Sequence, residues 1–96
     1  MTKQELVRNQ RQQILRLARE HGARSVKLFG SVATGRETGG SDVDFLVEMD
    51  PGRSLLDLGG LQVDLETLLG CKVDVVTEKG LRTRLRPRVL QEAVSV

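Results

Sequence analysis

Two short runs in this chain have the apolar, β-branched character of buried strands, yet each carries aspartate. The first is Asp42-Val43-Asp44-Phe45-Leu46-Val47 and the second Cys71-Lys72-Val73-Asp74-Val75-Val76-Thr77. Side chains alternate across a strand, so Asp42 and Asp44 are expected on one face, about 6.6 Å apart along the chain. Carboxylates held side by side repel and resist desolvation unless a cation lies between them. Hard divalent ions such as Mg²⁺ take oxygen ligands, and paired ions in phosphoryl-transfer sites stand roughly 3.5–4 Å apart. Asp74, set among valines, needs a reason of the same kind, because a buried carboxylate without a partner is costly.

Upstream, Arg24 to Phe29 reads as a short strand with Val26 and Leu28 on one face, ending at Gly30-Ser31. A short helix is expected to begin there. Its free backbone N–H groups and the serine hydroxyl then point to whatever sits above the strand end, a natural place for phosphate. Taken alone, a Gly-Ser step after a strand is most simply a helix cap.

The remaining segments frame these pieces. A helix is expected from Lys3 to His21, capped by Thr2 with Glu5 in a capping box and closed by Gly22. The polar stretch Arg8 to Gln13 interrupts its apolar stripe. His21, in the last turn, is expected to serve the helix C-terminus. Thr34 to Ser41 turns into a second strand, Asp42 to Glu48 or Met49. Asp50-Pro51-Gly52 is a turn, and Ser54 caps a helix reaching about Leu69, with Leu58, Leu61, Leu65 and Leu68 as its buried stripe. Gly59 and Gly60 lie inside that helix, each costing about 1 kcal/mol relative to alanine unless something packs against it. Cys71 to Thr77 is the third strand, and Pro87 starts a last helix to about Ala93. The expected fold class is α/β (α+β): a small mixed β-sheet with helices packed mainly on one side.

Residues 1–96 are expected to form one domain, since this length supports a single modest core. No apolar run approaches the roughly 20 residues that span a bilayer. Met1 leads into a polar segment, so no leader peptide is expected. Cys71 has no second cysteine to pair with, which fits a cytoplasmic location. Charge is uneven: seven basic and two acidic residues in 1–30, two and eight in 31–70, six and three in 71–96. The basic flanks supply counter-charge for a polyphosphate or an acidic partner. With two Phe, no Trp and no Tyr, a single-strand nucleic-acid platform of stacked aromatics is disfavoured, although Lys79 to Arg88 is basic.

Gly30-Ser31, ten intervening residues, Asp42-Val43-Asp44, and Asp74 in a later Val-Asp-Val together resemble the nucleotidyltransferase superfamily of the DNA polymerase β type. Within it, the chain is similar to the minimal nucleotidyltransferases (MntA-like), commonly encoded beside a HEPN-type toxin. The resemblance implies that Gly30 and Ser31 contact a nucleoside triphosphate. It implies that Asp42 and Asp44 hold two Mg²⁺ ions and that Asp74 completes the cluster, binding one ion or taking the acceptor's proton. It further implies an antitoxin that moves AMP from ATP to a tyrosine of its HEPN partner, in a hetero-oligomer with it. Because this chain has no tyrosine, the acceptor of such chemistry lies on another molecule.

One departure stands out. Members of the family commonly carry arginine where this chain has Thr34, with Arg36 two positions on. The alternative reading is therefore an antitoxin with a weak or idle site that neutralises its partner by binding alone. Without an added substrate-binding domain, a partner that brings its own acceptor residue is the simplest substrate.

Overall fold

The computed structural model describes residues 1–96. Its elements run α1 (Lys3–Asn9), α2 (Arg11–Glu20), β1 (Ala23–Phe29), α3 (Gly30–Thr34), β2 (Val43–Met49), α4 (Leu55–Leu69), β3 (Val73–Thr77), α5 (Arg86–Glu92) and β4 (Val94–Ser95). A single 3₁₀ turn, Glu78–Gly80, follows β3. The strands form one mixed sheet in the order β3-β2-β1-β4, with β2 and β3 parallel and β1 antiparallel to both β2 and β4. The parallel pair is connected through α4, and the β1–β2 pair through α3 and a glycine-containing loop.

Alternation in the strands decides which face is buried. Val26, Leu28, Val43, Phe45, Val47, Val73 and Val75 enter one core with Ile14 and Ala18 of α2 and Leu61, Leu65 and Leu69 of α4. Phe45, Ile14, Leu61 and Leu65 are wholly buried there. The α4 stripe thus falls at 61, 65 and 69, a strict four-residue step. Leu58 and Leu68, expected inside, only pack partly against it.

The helix expected over Lys3 to His21 is two helices, broken at Gln10 (φ −99°, ψ 15°). The break lies inside the polar stretch that interrupts the apolar stripe. It lets α1 turn its first residues toward the loop after α3, while α2 stays on the sheet. Thr2 caps α1 in the expected capping box with Glu5, and Ser54 caps α4 in a second one with Asp57. Gly22 and Gly70 close α2 and α4 with positive φ, as C′ residues do. The His21 ring serves a neighbour rather than its own helix end: Nε2 lies 2.6 Å from Asp64 Oδ2 on α4.

The opposite sheet face carries Asp44, Leu46 and Glu48 of β2 together with Asp74 of β3. Near the far end of β2, a cavity of about 930 Å³ is lined by Lys27, Leu46 and Glu48 and by Arg86 and Leu90 of α5. The two-residue strand β4 pairs with Lys27 and Leu28 and adds a fourth strand to the three expected. No helix is long and apolar enough to cross a membrane.

Candidate functional site

Register places the site. In the parallel β2–β3 ladder Asp44 stands opposite Asp74, and in the antiparallel β1–β2 ladder it stands opposite Phe29, the residue before Gly30. Neighbouring strands run about 4.8 Å apart, so Asp44 and Asp74 lie side by side on one face with the start of α3 beside them. The core does this work: fixing Val43, Phe45, Val73 and Val75 inward forces Asp44 and Asp74 outward together.

Gly30 has φ +76°, a left-handed conformation that lets the chain turn directly from β1 into α3. A Cβ at this position would also overlap the Asp44 carboxylate. Glycine here meets two requirements at once: the turn, and the approach of backbone to carboxylate. Ser31 follows in the first turn of α3, half-buried.

Asp44 is half-buried and its carboxyl is pushed up from 3.8 to about 6. Burial is the largest cause, followed by repulsion from Asp74 and then Asp42, with a side-chain hydrogen bond to Asp74 adding to it. A carboxylate raised by its carboxylate neighbours is a place where a cation would be welcome. Asp74 is exposed on the same face. Asp42 sits just before β2 rather than inside it, because pairing with β3 begins at Val43, whose N–H donates to the Lys72 carbonyl at 3.0 Å. Its placement therefore depends on the preceding loop.

No group of three His, Cys, Asp or Glu side chains is gathered closely enough to hold a metal ion unaided. Asp42, Asp44 and Asp74, expected to converge as one cluster, are therefore not gathered into such a group; Asp44 and Asp74 are the pair that register brings together. The donor set is all oxygen, and its mutual repulsion at Asp44 calls for positive charge.

Thr34, the departure in the Gly-Ser turn, donates its hydroxyl to the Gly30 and Ser31 carbonyls at 3.2 and 3.4 Å. Arg36 bends back to it, Nε donating to Thr34 Oγ1 at 2.9 Å, with Nη2 3.9 Å from Glu92 on α5. Sequence reasoning did not single out Lys3 or Glu37, which fasten the loop leading to Asp42 to the start of α1. They lie 34 residues apart, and no local pattern signals such a contact.

Comparison with known proteins identifies the family and the fold. Residues 10–96 match the model of the nucleotidyltransferase domain family. A Methanocaldococcus jannaschii protein described as a candidate protein adenylyltransferase is 41% identical over 86 residues, covering 90% of this chain and 92% of its own length. The protein adenylyltransferase MntA of Thermococcus cleftensis is 39% identical over 80 residues, 83% of this chain and 81% of that protein. Among solved structures, a candidate minimal nucleotidyltransferase superposes with a TM-score of 0.88 at 47% identity, covering 100% of this chain and 97% of the other. A mutant MntA–HpeT toxin–antitoxin structure, with tyrosine replaced by alanine, superposes with a TM-score of 0.73 at 25% identity, covering 90% and 70%. With the family model matching residues 10–96 and relatives of about 40% identity covering most of its length, the chain belongs to the nucleotidyltransferase domain family.

Proposed function

We propose that this chain is a magnesium-dependent antitoxin that transfers AMP from ATP to a tyrosine of a partner HEPN-type toxin. The observation that carries the reading is the Asp44–Asp74 pair beside Gly30, with Asp44 raised to about 6 by burial and by its carboxylate neighbours. In this reading Gly30 and Ser31 seat the triphosphate, and Asp42, Asp44 and Asp74 hold two magnesium ions. When bound, the metal neutralises phosphate charge and stabilises the attacking and leaving oxygens of the displacement.

The chain's own groups do the positioning. Gly30 keeps backbone N–H groups open to phosphate without a side chain in the way, and the Asp44 carboxylate stands directly beside it. The acceptor's phenolic oxygen bonds to the α-phosphorus, the bond to the bridging oxygen breaks, and pyrophosphate leaves. Asp74, the most exposed of the three acids on this face, completes the metal set or takes the phenolic proton. The acceptor comes from a partner because this chain has no tyrosine. The names of the relatives support adenylyl transfer, and the MntA–HpeT structure supports a toxin as partner.

The test is transfer of label from α-labelled ATP, with Mg²⁺, to the toxin encoded beside this chain. Label should appear on a tyrosine of the toxin, vanish with chelator, and fall on the order of a hundredfold or more with Asp44→Asn, since even outer-shell changes cost a metal site 10–100-fold. Thr34 motivates the second reading. It occupies the position where the family commonly places arginine, and Arg36 is turned toward Glu92 on α5. Neutralisation of the toxin by Asp44→Asn as complete as by the parent chain, without label on either, would establish the binding-only antitoxin instead.

A further inference from the structure

We propose that Lys3 and Glu37 are positioning residues, which together lock the loop 35–41 so that Asp42 is delivered beside Asp44. The inference rests on the metal-site reading of these two aspartates. Asp42 lies outside β2, at the end of a loop containing Gly35, Gly39 and Gly40. Inside the loop the Ser41 N–H donates to the Thr38 carbonyl at 3.0 Å and the Thr38 N–H to Ser41 Oγ at 2.8 Å. These bonds shape the tip but do not fix it to the body of the protein.

The start of α1 supplies that fixing. The Glu37 carboxylate accepts from the backbone N–H groups of Lys3 (2.9 Å) and Gln4 (3.1 Å), two donors that a helix start leaves free. Its negative charge suits that helix end. The Lys3 ammonium runs the other way, donating to the Gly39 carbonyl at 3.2 Å and to the Ser41 carbonyl. The Ser41 carbonyl belongs to the peptide unit that leads into Asp42, so Lys3 holds the plane from which Asp42 departs. Gln4 adds a bond from Nε2 to the Ala33 carbonyl at 3.2 Å, tying the same helix start to α3. The clamp acts on metal affinity through Asp42. Without it the loop must be ordered when the ion binds, and affinity falls.

The experiment measures Mn²⁺ affinity of the whole chain, by paramagnetic resonance of the free ion, with a non-hydrolysable ATP analogue present. Thermal melting is recorded alongside. Lys3→Ala and Glu37→Ala should each weaken Mn²⁺ binding about tenfold, as outer-shell partners of metal sites do, and Lys3→Arg should keep parent affinity. A second variant separates positioning from general damage. Gly40 has no positive φ, and a Cβ there meets nothing within 4 Å, so alanine fits and stiffens the loop. Added to Lys3→Ala, Gly40→Ala should recover about two- to fivefold of the lost affinity.

Parent-level affinity in Lys3→Ala and Glu37→Ala overturns the clamp. So does a loss in Lys3→Ala that Gly40→Ala leaves unchanged, whatever happens to melting. Asp44→Asn is the control for the underlying reading. If it binds Mn²⁺ as tightly as the parent, the metal site itself is wrong and the clamp falls with it. If Asp44→Asn loses affinity while the clamp variants do not, only the clamp fails.

Discussion

Asp44 is the residue on which most of the proposed chemistry turns, and its protonation would tie stability to that function. Its folded carboxyl titrates at about 6 against an ordinary 3.8, so between these values the folded chain keeps a proton that the unfolded chain has released. Stability falls wherever the unfolded state binds fewer protons as pH rises. The contribution of Asp44 is therefore harmless below about pH 4, grows as a penalty from pH 4 to 6, and is fully present above 6. Because the group is half-exposed, solvent screening reduces the size of the effect to about 1 kcal/mol. Urea denaturation of metal-free protein should show Asp44→Asn more stable than the parent at pH 7 by about that amount, with the difference closing by pH 4. In the proposed site a bound magnesium ion would invert the preference, since it needs the carboxylate ionised. Titration with Mg²⁺ and nucleotide at pH 6, in two buffers of different ionisation heat, should reveal proton release that Asp44→Asn lacks. A pH-independent difference between parent and variant would mean that Asp44 titrates normally.

At the scale of elements, two adjacent glycines in α4 separate local propensity from packing. A Cβ on Gly59 meets nothing within 4 Å, whereas one on Gly60 would stand 2.9 Å from His21 Cε1 and 3.1 Å from Nδ1. The bare backbone at Gly60 lets the His21 ring lie over α4 and reach Asp64, one helical turn on. Gly59→Ala should raise stability by about 0.8–1 kcal/mol, the ordinary helix gain. Gly60→Ala should lower it by about 1 kcal/mol, because displacing the ring from Asp64 outweighs that gain. Equal stabilisation by both in urea denaturation would mean that the His21 ring is free to move aside. The doublet also marks how far the sequence could be read. Alternation placed Val26, Leu28, Val73 and Val75 inward correctly, and the cap signals at Thr2, Ser54, Gly22 and Gly70 set the helix ends, because both are local rules. The break at Gln10 was visible only as a weak stripe, since its cause is the contact of α1 with a loop more than twenty residues away. Val94–Ser95 is too short to show any period. The same limit applies to the candidate site. Asp42, Asp44 and Asp74 could be singled out from their motifs and the family resemblance, but the Asp44–Asp74 pairing came from the sheet register. In the proposed clamp the position of Asp42 depends on Lys3 and Glu37, whose meeting no local rule foretells.

For the whole molecule, the sheet separates two tasks: one face is sealed by α1, α2 and α4, and the other presents the acids and the start of α3. Such a chain has few ways to stabilise the acidic face by itself, since Asp42, Asp44 and Asp74 repel one another and no three-ligand cage is preformed. Metal and nucleotide should therefore bind as a unit, each supplying what the other lacks: the ion offsets the carboxylates, and the phosphates complete its oxygen shell. Linkage makes this measurable as non-additive stabilisation. A ligand at a hundred times its Kd contributes about 2.7 kcal/mol, and each kcal/mol moves the melting point of a domain this size by about 4–8 °C. Mg²⁺ alone and ATP alone should each raise the melting temperature by no more than about 3 °C, and the two together by about 10–20 °C. In Asp44→Asn the combined shift should shrink to the sum of the separate ones, because the carboxylate that joins ion to protein is gone. Additive shifts in the parent chain would mean that ion and nucleotide occupy unrelated places. In that case the paired aspartates would be a surface feature of the fold rather than the reason for it.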